Sequence, residues 1–347
     1  MPSLQEFLAA IGEEIHDAEE ESFLLFSRDI PSANLGFVDA RTATVDLTIH
    51  GQDFSIHQSP TLLSSARAGG TTGAVLWKIT PRFAEWISPR NQKNPFWSSS
   101  ILTSSSTVVE LGCGISALVA LSLGPSVGHF IATDQEYVHR LFRENLESNA
   151  AAACQLSHQH NNRHGAPRQQ KKLHSQSAGG KSRAGSKRSA NSSSNTTSGL
   201  KNVTFTTLDW ELDVPCTLKD TIDQNHHQST GPEDSDDEGK DPGFDLLISC
   251  DCIYNEALIP PFVHTCADIC RLRPPYDPTL SLEEMPPRHR PTICVIAQQQ
   301  RSPDVFDTWL RETIKEFHVW RLSDDVLGEG LKAGTGYVVH ALVLRKK

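Results

Sequence analysis

From residue 107 onward, short apolar runs alternate with longer stretches whose apolar positions recur at helical spacing. Val108-Val109-Glu110-Leu111 predicts a strand, followed by Gly112-Cys113-Gly114 and a helix through Leu123. Residues 129 to 133 predict a second strand ending at Asp134, and Val138, Leu141, Phe142 and Leu146 mark the inward side of the helix after it. Residues 203 to 208, 244 to 250 and 293 to 297 predict three more strands. A helix with Phe262, Cys266, Ile269 and Cys270 lies between the last two. Val305, Trp309, Ile314 and Phe317 mark another helix, and residues 318 to 322 and 337 to 344 close the chain as strands. Such alternation implies an α/β fold, a mostly parallel sheet with helices on both faces.

Upstream the pattern differs. Leu4, Phe7, Leu8, Ile11 and Ile15 stand at helical spacing among acidic residues, predicting a short amphipathic helix within residues 4 to 26. Val45, Leu47 and Ile49 alternate with Asp46, Thr48 and His50, and after Gly51-Gln52-Asp53 the alternation resumes with Phe54 and Ile56. This reads as a β-hairpin with one buried face. A flexible loop, Gly69-Gly70-Thr71-Thr72-Gly73, runs into Ala74-Val75-Leu76-Trp77. Ile79, Phe83, Trp86 and Ile87 then share one helical side, where Pro81 must start, kink or break the helix. The expected division is an N-terminal helix-and-hairpin extension over 1–69, a layer rather than an independent domain, and a main domain over 70–347.

Two stretches interrupt the main domain. Residues 154–200 are rich in Ser, Asn, Gln, Gly and His, with basic but no acidic residues, and residues 219–243 carry Glu233-Asp234-Ser235-Asp236-Asp237-Glu238. Neither offers enough apolar surface to offset the entropy of ordering, so both are expected to be low-complexity surface insertions. The formal charge of −10 over 347 residues argues against a general nucleic-acid binder, leaving the basic insertion as the one stretch suited to such contact. No run approaches the ~20 apolar residues needed to span a bilayer, and the N-terminus lacks a secretory pattern. The eight cysteines are scattered, which suits thiols in a reducing compartment. Neither Cys250-x-Cys252 nor Cys266-x-x-x-Cys270 has usual zinc spacing, so no metal is expected. The missing leader and the thiols predict a cytoplasmic protein, with the nucleus also open to it; a monomer is expected.

The candidate chemistry gathers at strand ends. The glycines of Gly112-Cys113-Gly114 permit a tight strand-to-helix turn and close approach of a ligand to the backbone. Alone, Gly112-x-Gly114-x-x-Ala117 also suits a dinucleotide turn or a turn with no ligand. Glu110, just before the glycines, would repel a pyrophosphate but suits a cationic amino-acid cofactor. Asp134 can accept two ribose hydroxyls, which would also serve NAD. Asp209 offers an acceptor for an adenine amino group, and Trp210 an aromatic wall. All fall at carboxyl ends of successive strands, the crevice of an open parallel sheet. Asp251 and Tyr254 follow the fourth strand, where a methyl donor would meet its acceptor; helix capping and packing are the bland alternatives.

Trp77 after a glycine-rich loop, Glu110-Leu111-Gly112-Cys113-Gly114, Asp134, Asp209-Trp210 and Asp251-x-x-Tyr254 together resemble the methyltransferase-like 21 type of class I protein-lysine methyltransferases. The resemblance spans roughly residues 36 to 155 and 200 to 345, and the hairpin with residues 70 to 77 is most similar to its fungal ribosomal branch. It implies a Rossmann-like seven-strand class I methyltransferase sheet and S-adenosyl-L-methionine as cofactor. It implies cofactor contacts at Trp77, Glu110, Leu111, Gly112, Asp134, Trp210 and Cys250, with Gly114 and Asp209 added from their positions. Asp251 and Tyr254 would handle the acceptor, a lysine of a large-subunit ribosomal protein. Competing expectations are nucleic-acid amino methylation, for which Asp251-Cys252-Ile253-Tyr254 lacks the stacking prolines, an NAD-dependent oxidoreductase, and a catalytically silent cofactor-binding module.

Overall fold

The computed structural model describes residues 3–30, 36–65, 70–158, 200–220, 241–278 and 290–346. Most of the two expected insertions, at 159–199 and 221–240, lies outside the described residues. In chain order the elements are α1 (Leu4–Ile11), β1 (Gly12–Ile15), α2 (Ala18–Phe26), β2 (Thr44–Ile49), β3 (Gln52–His57), α3 (Pro60–Leu63), α4 (Ile79–Ile87) and α5 (Pro95–Ser98). There follow β4 (Thr107–Leu111), α6 (Leu118–Leu123), β5 (His129–Asp134), α7 (Glu136–His158), β6 (Val203–Thr207) and β7 (Leu246–Cys250). The last are α8 (Ile259–Cys270), β8 (Ile293–Gln299), α9 (Pro303–Glu316), β9 (Phe317–Leu322), α10 (Asp324–Leu327) and β10 (Tyr337–Leu344).

The sheet runs β1-β9-β10-β8-β7-β4-β5-β6. From β8 to β6 every pairing is parallel, while β10 is antiparallel to both β8 and β9. The expected seven strands, β4 to β10, are thus all present in a Rossmann-like arrangement, and β1 adds an eighth at the edge. Alternation along each strand feeds two cores. Val108, Phe130, Ile248 and Val295 face the core built with α1, the hairpin, α4, α6 and α7. Val109, Leu111, Ile131 and Ile296 face the core built with α2, α8 and α9.

The short amphipathic helix expected within residues 4 to 26 is α1, but it stops at Ile11, and Ile15 lies on a strand instead. Ser3 and Glu6 form a reciprocal capping box that starts α1, but the chain then turns extended at Gly12 and pairs antiparallel with β9. A Cβ at Gly12 would lie 2.0 Å from the Arg321 carbonyl oxygen, so only glycine lets β1 approach so closely. Asp17 caps α2 by accepting the Glu19 and Glu20 N–H groups at 2.8 and 3.0 Å. The boundary placed at residue 154 also moves, because α7 continues through His158 with Ala153 and Leu156 buried. At the acidic insertion, Lys219 bonds the Asp241 carbonyl at 2.8 Å, and Arg273 is ion-paired with Asp241 and Asp245. The ends of that stretch therefore belong to the packed domain. Pro81 sits in the first turn of α4, where its missing N–H costs nothing.

The hairpin is fastened to the domain by two asparagines on α7. Asn145 accepts from the His57 N–H at 2.7 Å and donates to the His57 carbonyl at 2.8 Å and the Ile115 carbonyl at 2.7 Å. One turn on, Asn149 makes the same two-way exchange with Ser55, both bonds at 3.0 Å. Each amide stands in for the backbone of a neighbouring strand. Asn145→Ala strips partners from two half-buried backbone groups and one buried one, and should cost about 2–4 kcal/mol in urea unfolding. A loss below ~0.5 kcal/mol would show that the clamp is not holding the hairpin.

Candidate active site

The order of the sheet reverses at β4, whose neighbours β5 and β7 lead away in opposite directions. A crevice at the carboxyl ends of the strands is expected at such a point. One is present, about 1190 Å³ with its open mouth included. The structure brings Trp77, Glu110, Gly112, Gly114, Asp134, Asp209, Trp210, Cys250, Asp251 and Tyr254 to its walls, together with Thr72, Gly73 and Tyr137, which sequence reasoning did not single out. Leu111 is the exception. Its side chain points into the α8–α9 core, and its carbonyl is taken by the Ser249 hydroxyl at 3.0 Å.

The floor is the glycine turn. Gly112 has φ +67°, and a Cβ there would stand 2.3 Å from the Cys252 sulfur and 3.5 Å from the Trp210 ring. Gly114 has φ +59° and donates its N–H to Asp134 Oδ2 at 2.8 Å. The glycine-rich loop closes over this turn. Ile115 N–H donates to the Gly73 carbonyl at 3.1 Å, Gly73 N–H to the Tyr137 hydroxyl at 3.2 Å, and the Trp77 indole to the Thr72 carbonyl at 3.0 Å. Trp210 is braced edge-on against Phe262, with ring centroids 5.0 Å apart. The carboxylate of Asp209 instead caps its own turn, accepting the Glu211 N–H at 2.9 Å.

Two acids sit deep in the cleft. Glu110 is buried and its Oε2 has no hydrogen-bond partner. Burial, and next the charge of Asp134, push its carboxyl well above the usual range. Burial also raises Asp134 to about 6, against the pull of the Gly114 and Gln135 N–H groups. Burial likewise raises Cys113, Cys250 and Cys252, so these thiols stay protonated at neutral pH. A buried carboxyl oxygen with no partner, beside a second acid, is costly by itself and suits a cationic ligand that would let the group ionise. Among the described residues no group of three His, Cys, Asp or Glu is placed to hold a metal, and no helix is long and apolar enough to cross a membrane.

Asp251 stands elsewhere in the charge pattern than its sequence context suggests. It has φ +61° and its side chain is almost wholly buried. Arg301 grips it with both arms of the guanidinium, NH1 to Oδ1 at 2.7 Å and NH2 to Oδ2, while Gln299 N–H reaches Oδ1 at 3.2 Å. The same guanidinium lies 4.5 Å from the Trp77 ring centroid. Arg301 and Gln299 were missed, although β8 is the next strand in line and Gln299 closes it. Tyr254 stands at the rim, 37% exposed, its hydroxyl 3.5 Å from Thr72 Oγ1, and burial of the phenol raises its pKa.

Ribosomal lysine N-methyltransferase 5 of Candida glabrata is 25% identical over 288 residues, covering 76% of this chain and 70% of that protein. The chain is similar to that yeast protein over about three quarters of its length, and to other yeast proteins of the same name over shorter stretches. The homologue of Zygosaccharomyces rouxii is 38% identical over 107 residues, 28% of this chain and 34% of that protein. A Schizosaccharomyces pombe protein named diaminohydroxyphosphoribosylamino-pyrimidine deaminase is 33% identical over 143 residues, 41% of this chain and 34% of that protein. The chain thus spans about a third of the length of these last two relatives. No family model matches. Among solved structures, a Bacillus cereus O-methyltransferase aligns with 75% of this chain and 82% of its own, at 11% identity and a TM-score of 0.33. A likeness that distant adds nothing to what the topology already shows.

The raised carboxyl of Asp134 has a thermodynamic sign. Between pH 4 and 6 the folded chain keeps a proton there that the unfolded chain releases, so this group lowers stability as pH rises through that window. Asp134→Asn should therefore gain on the native chain by about 1–3 kcal/mol between pH 4 and 7 in paired thermal melts. Parallel melting curves across that range would refute the raised value.

Proposed function

We propose that the chain is an S-adenosyl-L-methionine-dependent methyltransferase that modifies a lysine side chain, on a ribosomal protein of the large subunit. The observation that carries this reading is the partnerless Glu110 oxygen beneath a glycine turn that leaves the backbone bare, with Asp134 and Trp210 on the same cleft. Glu110 suits a cationic α-amino group, and a positive charge at its Oε2 would draw the carboxyl back to its ionised form. Asp134 suits ribose hydroxyls, and Trp210 the face of an adenine. The names borne by the yeast relatives supply the lysine and the ribosome. A deaminase reading finds no support in the chain, which has neither the H-x-E nor the P-C-x-x-C element of a zinc deaminase site.

When bound, S-adenosyl-L-methionine supplies an electrophilic methyl group on a sulfonium. The residues of the chain prepare the other reactant. A lysine entering past Tyr254 must shed its proton first, since only about one in 2,500 is neutral at pH 7 with an ordinary pKa near 10.4. Desolvation in the cleft favours the neutral amine, and Tyr254 and Trp77 flank its path. Glu110, Asp134 and Trp210 would hold that cofactor, which would supply the methyl group to the nitrogen lone pair and keep the C–S electron pair on its sulfur, while the surplus amine proton would pass to solvent. Alignment supplies most of the acceleration.

Tritiated S-adenosyl-L-methionine added with the protein to a fungal lysate should label one ribosomal protein on lysine, located by fractionation and peptide mapping. Label in RNA would replace this reading with nucleic-acid methylation, and tight cofactor binding with no label anywhere would make the chain a binding module. Gly112→Arg should abolish cofactor binding in calorimetry, because the side chain has no room beside Cys252 and Trp210. Normal binding by that variant would remove the turn from the cofactor site.

A further inference from the structure

The acceptor side of the cleft holds a charge problem that the lysine reading alone does not answer. A free carboxylate near the incoming amine would favour its ammonium form, the form that cannot react. Asp251 is the acid placed there, and its charge is already answered by Arg301, whose planar fork meets both of its oxygens. Asp251 is kept from water, with 2% of its side chain exposed, while Arg301 keeps 25% of its side chain in solvent. Arg301 is itself held in place, donating to Gln299 Oε1 at 2.9 Å and stacked over Trp77. The end of β8 and two segments that line the cleft, the turn after β7 and the loop that carries Trp77, therefore meet at one guanidinium.

The other groups facing Asp251 do not change this balance. From β10, Tyr337 presents a phenol whose pKa is raised, first by burial. From α4, Arg82 lies over the Tyr337 ring at 5.5 Å and bonds the Gly330 carbonyl at 3.1 Å, so it is engaged away from the cleft. Cys250 and Cys252 are neutral thiols, and Tyr254 a neutral phenol. Glu110 and Asp134 lie on the cofactor side, where the reading above assigns them partners.

We propose that Arg301 is a positioning residue that cancels the charge of Asp251, so that Asp251 aims the substrate amine as a net-neutral acceptor without stabilising its ammonium form. This rests on the lysine-methylation reading and deepens it. The double contact of Arg301, with Asp251 and with Trp77, also ties Asp251 to the aromatic ring on the cofactor side of the cleft.

The test is the pH profile of methyl transfer into the protein band labelled by the native chain, with S-adenosylhomocysteine binding by calorimetry measured alongside. Transfer should rise with pH until the bound amine is neutral. Arg301→Met exposes the charge of Asp251 and should move that rising limb about one pH unit to the alkaline side. Asp251→Asn leaves Arg301 unbalanced and should move it about one unit to the acid side, whatever it does to the maximal rate. The double variant Asp251→Asn/Arg301→Met should return the limb to within a few tenths of a unit of native. A merely structural Arg301 would lower the rate with the limb unmoved. Unshifted limbs in both single variants, with native transfer intact, overturn this proposal and leave the methylation reading standing. If Arg301→Met does not fold, the direction of the Asp251→Asn shift decides alone. No labelled protein with the native chain would take away the methylation reading and the proposal with it.

Discussion

The closeness of the β4 tip to the turn after β7 governs the whole arrangement. A single added carbon at Gly112 would collide with the Cys252 sulfur and crowd Trp210. Three strand ends can therefore converge only if that position carries no side chain and tolerates a left-handed backbone. Given that convergence, the parity of β4 does the rest. Val109 and Leu111 enter one core, and the other face carries Val108 and then Glu110, so an acid is buried where the strand ends. The void beside it is lined by acids and aromatics because those are the side chains the neighbouring strand ends carry.

Much of this was legible in the sequence because it is encoded locally. The hairpin follows from strict alternation, the parallel strands from short apolar runs between helical stretches, and the cleft from the placement of acids and glycines at strand ends. What escaped was long-range. Nothing near Gly12 announces that its missing side chain makes room for the carbonyl of Arg321, so β1 was read into a helix. The resemblance implies a cofactor contact at Leu111, and strand alternation turns its side chain to the opposite core. Arg301 is separated from Asp251 by fifty positions of sequence, and its partner is evident only once β7 and β8 lie side by side.

The edges of the two insertions show the same limit of composition as a guide. Polar residues at 154–158 and 219–220 look like the low-complexity stretches they adjoin, yet they continue α7 and, through Lys219, bond to Asp241. Packing partners decide where order ends, and those partners are contributed by remote segments. The N-terminal extension belongs to the same body for that reason. It adds a strand to the sheet, and α2 lies against α9 over the second core.

The two asparagines of α7 have one more effect. A two-stranded hairpin has two open edges, and an open edge is a template on which another chain can add a strand. At Ser55 and His57 the outward N–H and C=O groups of β3 are already occupied by carboxamides from the helix. At those two positions the edge offers no free backbone groups on which another strand could pair.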